Sequence, residues 1–76
     1  MGAKDQATLA EQTTDPDELR AMAGSRFTAV RAAVARNAAT PDDVLQVLVD
    51  DRHHLPRFAV AENLKPSALE VALRGP

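Results

Sequence analysis

Two adjacent histidines, His53 and His54, follow closely on Asp51, and imidazole and carboxylate are ordinary metal ligands. A metal at Asp51, His53 and His54 needs a further ligand at useful spacing, and the surrounding sequence supplies none. The run Asp50-Asp51-Arg52-His53-His54 is therefore expected to be a solvated polar turn. Ser25 and Ser67 are candidate nucleophiles, but neither has a histidine near it in sequence, and both stand where a hydroxyl caps a helix or closes a turn. With no glycine-rich phosphate loop, no metal-binding helix motif and no cysteine, neither catalysis nor a bound cofactor is expected.

Arginine is the other residue type with chemistry to offer. Arg20, Arg26, Arg31 and Arg36 follow one another with no acid between them, which suggests a basic patch for phosphates. The last three are spaced by five, however, and each such step turns a helix by about 140°, so they spread around the cylinder. No aromatic residues are interleaved to stack on bases. Arg31 and Arg57 fall at matching places beside apolar positions, so their stems should be packed and their charges paired. Arg57 is expected to reach Asp50, Asp51 or the carbonyls of a helix end, with recognition of a partner as the alternative.

Those residues are positioned by a pattern that recurs. A shift of about 25 residues, within the range of solenoid arrays, sets Leu9-Ala10-Glu11-Gln12 under Val34-Ala35-Arg36-Asn37 and Pro16-Asp17-Glu18-Leu19 under Pro41-Asp42-Asp43-Val44. Met22 and Ala23 fall on Val47 and Leu48. A third copy runs through Arg57, Val60-Ala61-Glu62-Asn63, Pro66, Leu69, Ala72 and Leu73, with one residue deleted in the turn. The repeats span about 6–25, 26–51 and 52–76 within a single domain, 1–76. Units of this size bury their apolar faces only by stacking on one another.

The elements Arg-x-x-Val-Ala-x-Asn and Thr-Pro-x-x-Val-Leu-x-x-Leu-x-x-Asp, clearest in the middle copy, resemble the leucine-rich repeat variant family of bacterial proteins. The likeness covers Leu9 to Leu73; in the first copy Gln6 stands at the arginine position and Gly24-Ser25 replaces the acidic turn. The resemblance implies an all-α, short right-handed α-solenoid of about three helix pairs, some helices being 3₁₀, and no strands. It brings no shared catalytic residues. The iron–sulfur segment of some members needs cysteines that this chain lacks.

Composition agrees with a thin helical stack. Of 76 residues 45% are hydrophobic, nearly half of those being alanine, with two Phe and neither Trp nor Tyr. A deep ligand pocket, which is usually lined by large apolar and aromatic groups, is not expected. The net charge of −2 gives no overall attraction to nucleic acid or anionic membrane. No segment has the length and apolarity of a membrane span or signal peptide, and Gln6 occupies the Ser/Thr position of a myristoylation signal, so the chain is expected to be cytoplasmic.

Helix signals place the elements. Lys4 to Gln12 is weakly amphipathic. Asp15 caps a helix over Pro16 to Ala23, with Glu18 completing a capping box and Gly24 ending it in a left-handed turn. Arg26 to Asn37 buries Phe27, Val30 and Val34. Thr40 is expected to cap a helix with Val44, Val47 and Leu48 inside and Leu45 at the flank. Leu55 to Asn63 follows, with Val60 and Leu64 in the core. The last helix runs from Pro66 to Leu73, or starts at Ser67 with Glu70, turning Leu69 and Leu73 inward. Asn37, Asn63 and Gln12 are expected to cap helix ends, the alternative being a ladder that binds a peptide backbone.

An open end after the third copy leaves apolar surface for a protein partner, for self-association or for the remainder of a longer chain. The expected function is a non-catalytic protein–protein interaction or assembly module. The alternative is a small nucleic-acid-binding helical protein using Arg20, Arg26, Arg31 and Arg36.

Overall fold

The structure is a computed structural model that describes residues 2–74. The described residues form six α-helices: α1 Ala3–Gln12, α2 Pro16–Met22, α3 Thr28–Arg36, α4 Asp42–Leu48, α5 His54–Glu62 and α6 Pro66–Arg74. Among the described residues there are no strands and no 3₁₀ helices. Among these residues no helix is long and apolar enough to cross a membrane.

The odd-numbered helices form one row, in which α3 packs against α1 on one side and α5 on the other. In the other row α6 packs against α4, and each even-numbered helix also touches the helix that precedes it. α3 can occupy the centre because Val30 to Ala35 are all buried, and Ala32, Ala33 and Ala35 are small enough for neighbouring backbones to approach. Leu19, Val44, Leu45, Leu48, Val60 and Val71 fill the space between the rows.

The local signals act in several ways that differ from expectation. Asp15 does cap α2, its Oδ1 accepting from Asp17 N at 2.9 Å, but Glu18 accepts from the Thr13 hydroxyl instead of closing the box. Gly24 ends α2 without a positive φ, its N–H bonding to Ala21 O at 3.2 Å. α3 starts later than Arg26, because the Ser25 hydroxyl accepts from Phe27 N and holds the chain extended there. Thr40 is not a cap: it is fully buried and donates to Val34 O at 2.6 Å, satisfying a carbonyl at the end of α3, while Pro41 takes the cap position. Ser67 donates to Asp42 Oδ1 at 2.8 Å, and α6 begins at Pro66.

Two buried stripes are also shifted. Matching backbone bonds, Gly24 N to Ala21 O with Asp50 N to Val47 O, and Ser25 N to Met22 O with Asp51 N to Leu48 O, show that the step from α2 to α4 is one residue longer than the proline match. Leu19 therefore corresponds to Leu45, and both are fully buried, whereas Val47 is 66% exposed. The connection from Glu62 to Pro66 is two residues shorter than that from Arg36 to Asp42. The proline match already allows for one of these residues, and the other turns α6 by about 100°, so Ala68 and Val71 face the core in place of Leu69 and Leu73. Leu64, expected inside, is 93% exposed, and its neighbour Asn63 turns inward.

Candidate interaction surface

The polar groups inside the structure form a recurring frame. Asn37 follows α3 and donates from Nδ2 to Ala10 O at 2.7 Å and Thr13 O at 2.8 Å, while its Oδ1 accepts from Ala39 N. Asn63 follows α5 and does the same to Ala35 O and Asn37 O at 2.8 and 3.0 Å, its Oδ1 accepting from Lys65 N. Each carboxamide thus caps the C-terminal end of the neighbouring helix in its row. Both are buried and committed within the chain, so they do not form a ladder for a foreign peptide. Gln12 does not share the role; it is exposed, and Thr13 holds the C-cap position of α1.

The arginines recur likewise. Arg31 Nη1 donates to Ser25 O at 2.8 Å, and Arg57 Nη1 donates to Asp51 O at 2.7 Å, with donor and acceptor displaced equally along the chain. Arg31 also grips the Asp51 carboxylate, Nε to Oδ2 at 2.8 Å and Nη2 to Oδ1 at 3.3 Å. The carboxylate partner foreseen for Arg57 therefore belongs to Arg31, and Arg57 bonds instead to the backbone carbonyl of Asp51 in the turn between α4 and α5. Burial pushes the Asp51 carboxyl up, but the hydrogen bonds from Arg31 and His53 N and the charges of Arg31 and Arg52 outweigh it and hold Asp51 below the usual carboxylate value.

The remaining candidate residues are dispersed. Arg20 reaches from α2 to α4, Nη2 lying 3.1 and 3.0 Å from the two Asp43 oxygens. Arg26 lies over the Phe27 ring at 4.9 Å, and Arg36 is 4.0 Å from Glu62. Lys65 bridges Thr40 O and Asp42, both at 2.9 Å. Hydrogen bonds from Lys65 and Ser67 lower the pKa of Asp42, and the bond from Arg20 lowers that of Asp43. Arg20 and Asp43 edge a shallow hollow shared with Ala23, Gly24, Val44 and Val47.

His53 and His54 stack at 4.5 Å, and His53 Nδ1 accepts from Leu55 N, capping α5. Among the described residues no group of three or more His, Cys, Asp or Glu side chains is placed to hold a metal ion.

The last pair of helices, α5 and α6, carries exposed apolar residues at positions that are buried one pair earlier. Phe58 is 61% exposed where Ala32 is buried between helices; Leu69 and Leu73, at 60% and 78%, match Leu45 and Val49 when α4 and α6 are counted from their first residues. Arg57 and Ala61 belong to the same face, matching the buried Arg31 and Ala35. No donor among the described residues reaches Ala61 O or Asn63 O, the counterparts of the carbonyls that Asn63 caps. Phe58 was the residue missed in sequence. The signal was a large aromatic ring at a position where α3 has only a methyl group.

No protein-family model matches the chain, and neither a curated protein nor a solved structure matches it.

Proposed function

We propose that the chain is a non-catalytic protein–protein interaction or assembly module, built as a short right-handed α-solenoid of about three helix pairs of the leucine-rich repeat variant kind. The equal displacement of the Arg31 and Arg57 bonds, and the paired roles of Asn37 and Asn63, support the repeat reading. One observation carries the functional reading: Phe58, Leu69 and Leu73 are exposed, with the half-buried Arg57 beside Phe58, on α5 and α6 at positions that are buried one helix pair earlier. Apolar side chains of that size, concentrated at one end, lose contact with water by docking against another surface.

Nucleic-acid binding through Arg20, Arg26, Arg31 and Arg36 has less support. Arg31 is buried against Asp51, Arg20 is shared with Asp43, and Arg36 lies near Glu62, so the four present no common field to phosphates. The test is affinity capture on the immobilised chain, with mass spectrometry, beside the Phe58→Ser/Leu73→Lys variant and a titration of labelled DNA and RNA at two salt concentrations. A protein recovered by the wild type and lost by the variant is the expected result. Salt-sensitive binding of the nucleic acid, unaffected by the variant, would replace this reading with the alternative.

A further inference from the structure

Of the helices α1 to α5, only α2 and α5 carry a side-chain N-cap bond. Asp15 caps α2 with a carboxylate, whereas His53 caps α5 with Nδ1, which accepts from the Leu55 N–H at 3.1 Å. Ser, Thr, Asp and Asn ordinarily fill this place. An imidazole nitrogen accepts only while it is unprotonated, and histidine is the side chain whose charge changes between about pH 5 and 8. The cap on α5 is therefore of the kind that mild acid removes.

The groups around His53 bear on both of its charge states. The His54 ring stacks on it, with centroids 4.5 Å apart and planes inclined by 26°, and meets the Phe58 ring in turn at 5.5 Å. In the turn before α5, Asp51 accepts from His53 N at 2.9 Å and is gripped by Arg31 of α3, Arg57 of α5 bonds to its carbonyl, and Asp50 and Arg52 flank it. The charges of α4, Asp42 and Asp43, lie in its first turn, away from this corner, and are held by Lys65 and Arg20. Those of α6, Glu70 and Arg74, pair with each other at 3.7 Å, and Arg36 at the end of α3 lies 4.0 Å from Glu62 at the end of α5. Two imidazolium charges would thus join the guanidinium groups of Arg31, Arg52 and Arg57 against Asp50 and Asp51, at the positive end of the α5 dipole.

We propose that His53 and His54 form a pH-sensitive latch on the start of α5, closed by the neutral His53 ring and opened by its protonation. The sign follows from which form makes the bond: the neutral ring accepts, so the cap is complete above the histidine range and is lost as pH falls through it. Protonation puts a hydrogen on Nδ1, opposite the Leu55 N–H, and sets like charges in two stacked rings. The first turn of α5 then frays, and Phe58 loses the ring it rests on. The fork from Arg31 to Asp51 persists in this range, because that carboxyl is held below its ordinary value, so the rest of the chain stays folded. The latch does not depend on the α5–α6 face binding a protein.

Nuclear magnetic resonance on the isotopically labelled full chain, between about pH 8 and 5, tests it. At the upper end the His53 ring should carry its proton on Nε2. As the ring gains its second proton, protection of the Leu55 amide against exchange, taken relative to the intrinsic rate at each pH, should fall about fivefold, the effect of losing an ordinary N-cap. Protection of Val34, buried in α3, should hold. His53→Asp supplies an acceptor that stays ionised over this range, so the step should vanish with Leu55 protected throughout. His54→Gln keeps the cap but removes the stacked charge, so the step should move to higher pH. A proton on His53 Nδ1 at the upper end, Leu55 protection that is constant with pH in the wild type, or an undiminished step in His53→Asp would each overturn the proposal. Loss of Val34 protection in parallel with Leu55 would overturn it as well, because the whole chain would then be unfolding in place of one turn.

Discussion

Arg31 and Asp51 form a fork of two hydrogen bonds, 2.8 and 3.3 Å long, between side chains only 8% and 9% exposed. The pair ties the start of α3 to the turn after α4, and Asp51 also accepts from His53 N at 2.9 Å, fixing the entry to α5. Removing one member leaves the other charge buried without its counterpart. Asp51→Asn or Arg31→Met should each cost about 3–5 kcal/mol, enough to unfold much of a chain this small. Urea titration of each variant checks the loss.

A double-mutant cycle separates the two arginines. Arg31 and Asp51 should show a coupling energy of about 1–3 kcal/mol. Arg57 bonds to the Asp51 backbone carbonyl, which Asp51→Asn retains, so Arg57→Met combined with Asp51→Asn should be additive within about 0.5 kcal/mol. Coupling confined to the second pair would reverse the assignment. Where the single variants are too unstable, the cycle can be run with a stabilising osmolyte.

Asp51 also sets the response to acid. Its carboxyl titrates lower in the folded chain than the ordinary 3.8, so its contribution to stability is complete above that value and is lost as pH falls through the lowered folded value. Asp42 and Asp43 shift in the same direction, but they are exposed and add less. Thermal melts should show the midpoint falling as pH drops below about 4, with a flatter profile in Asp51→Asn if enough folded protein survives to melt.

Neighbouring residues should respond oppositely in the turn after α5. Asn63→Ala strands Ala35 O and leaves Asn37 O with Thr40 N as its remaining donor, at a cost of about 1–3 kcal/mol. Leu64→Ser, one residue further, should change stability by no more than about 0.5 kcal/mol in denaturant titration. The outcome decides which residue faces the core.

A similar contrast applies within α4. Leu45→Ala empties a fully buried site and should cost about 2–5 kcal/mol. Val47→Ala, at a largely exposed site, should stay within about 0.5 kcal/mol. Chemical denaturation of the two variants side by side is sufficient.

Most of the helices were legible because their signals are local. Asp15-Pro16 marks the start of α2, and Val30 and Val34 mark the inner side of α3. The inner sides of α4 and α6 were not legible, because similar residues hold different places: Pro16 is the first residue of α2, Pro41 precedes α4, and Pro66 opens α6 after a shortened connection. Anchoring the copies on proline therefore moved Leu45, Val47, Leu69 and Leu73 to the wrong sides. The polar frame was hidden for another reason. Asn37 and Asn63 were recognisable as capping residues, but the carbonyls they cap lie in the adjacent helix, which local spacing cannot reveal. The same distance in sequence gave Asp51 to Arg31 in place of Arg57.

The sandwiching of α3 between α1 and α5 also orders the chain in time. Its amides open only when a neighbour leaves or the whole chain unfolds, so their deuterium uptake should be the slowest. The outer helices α1 and α6 lose fewer contacts on detaching and should label first.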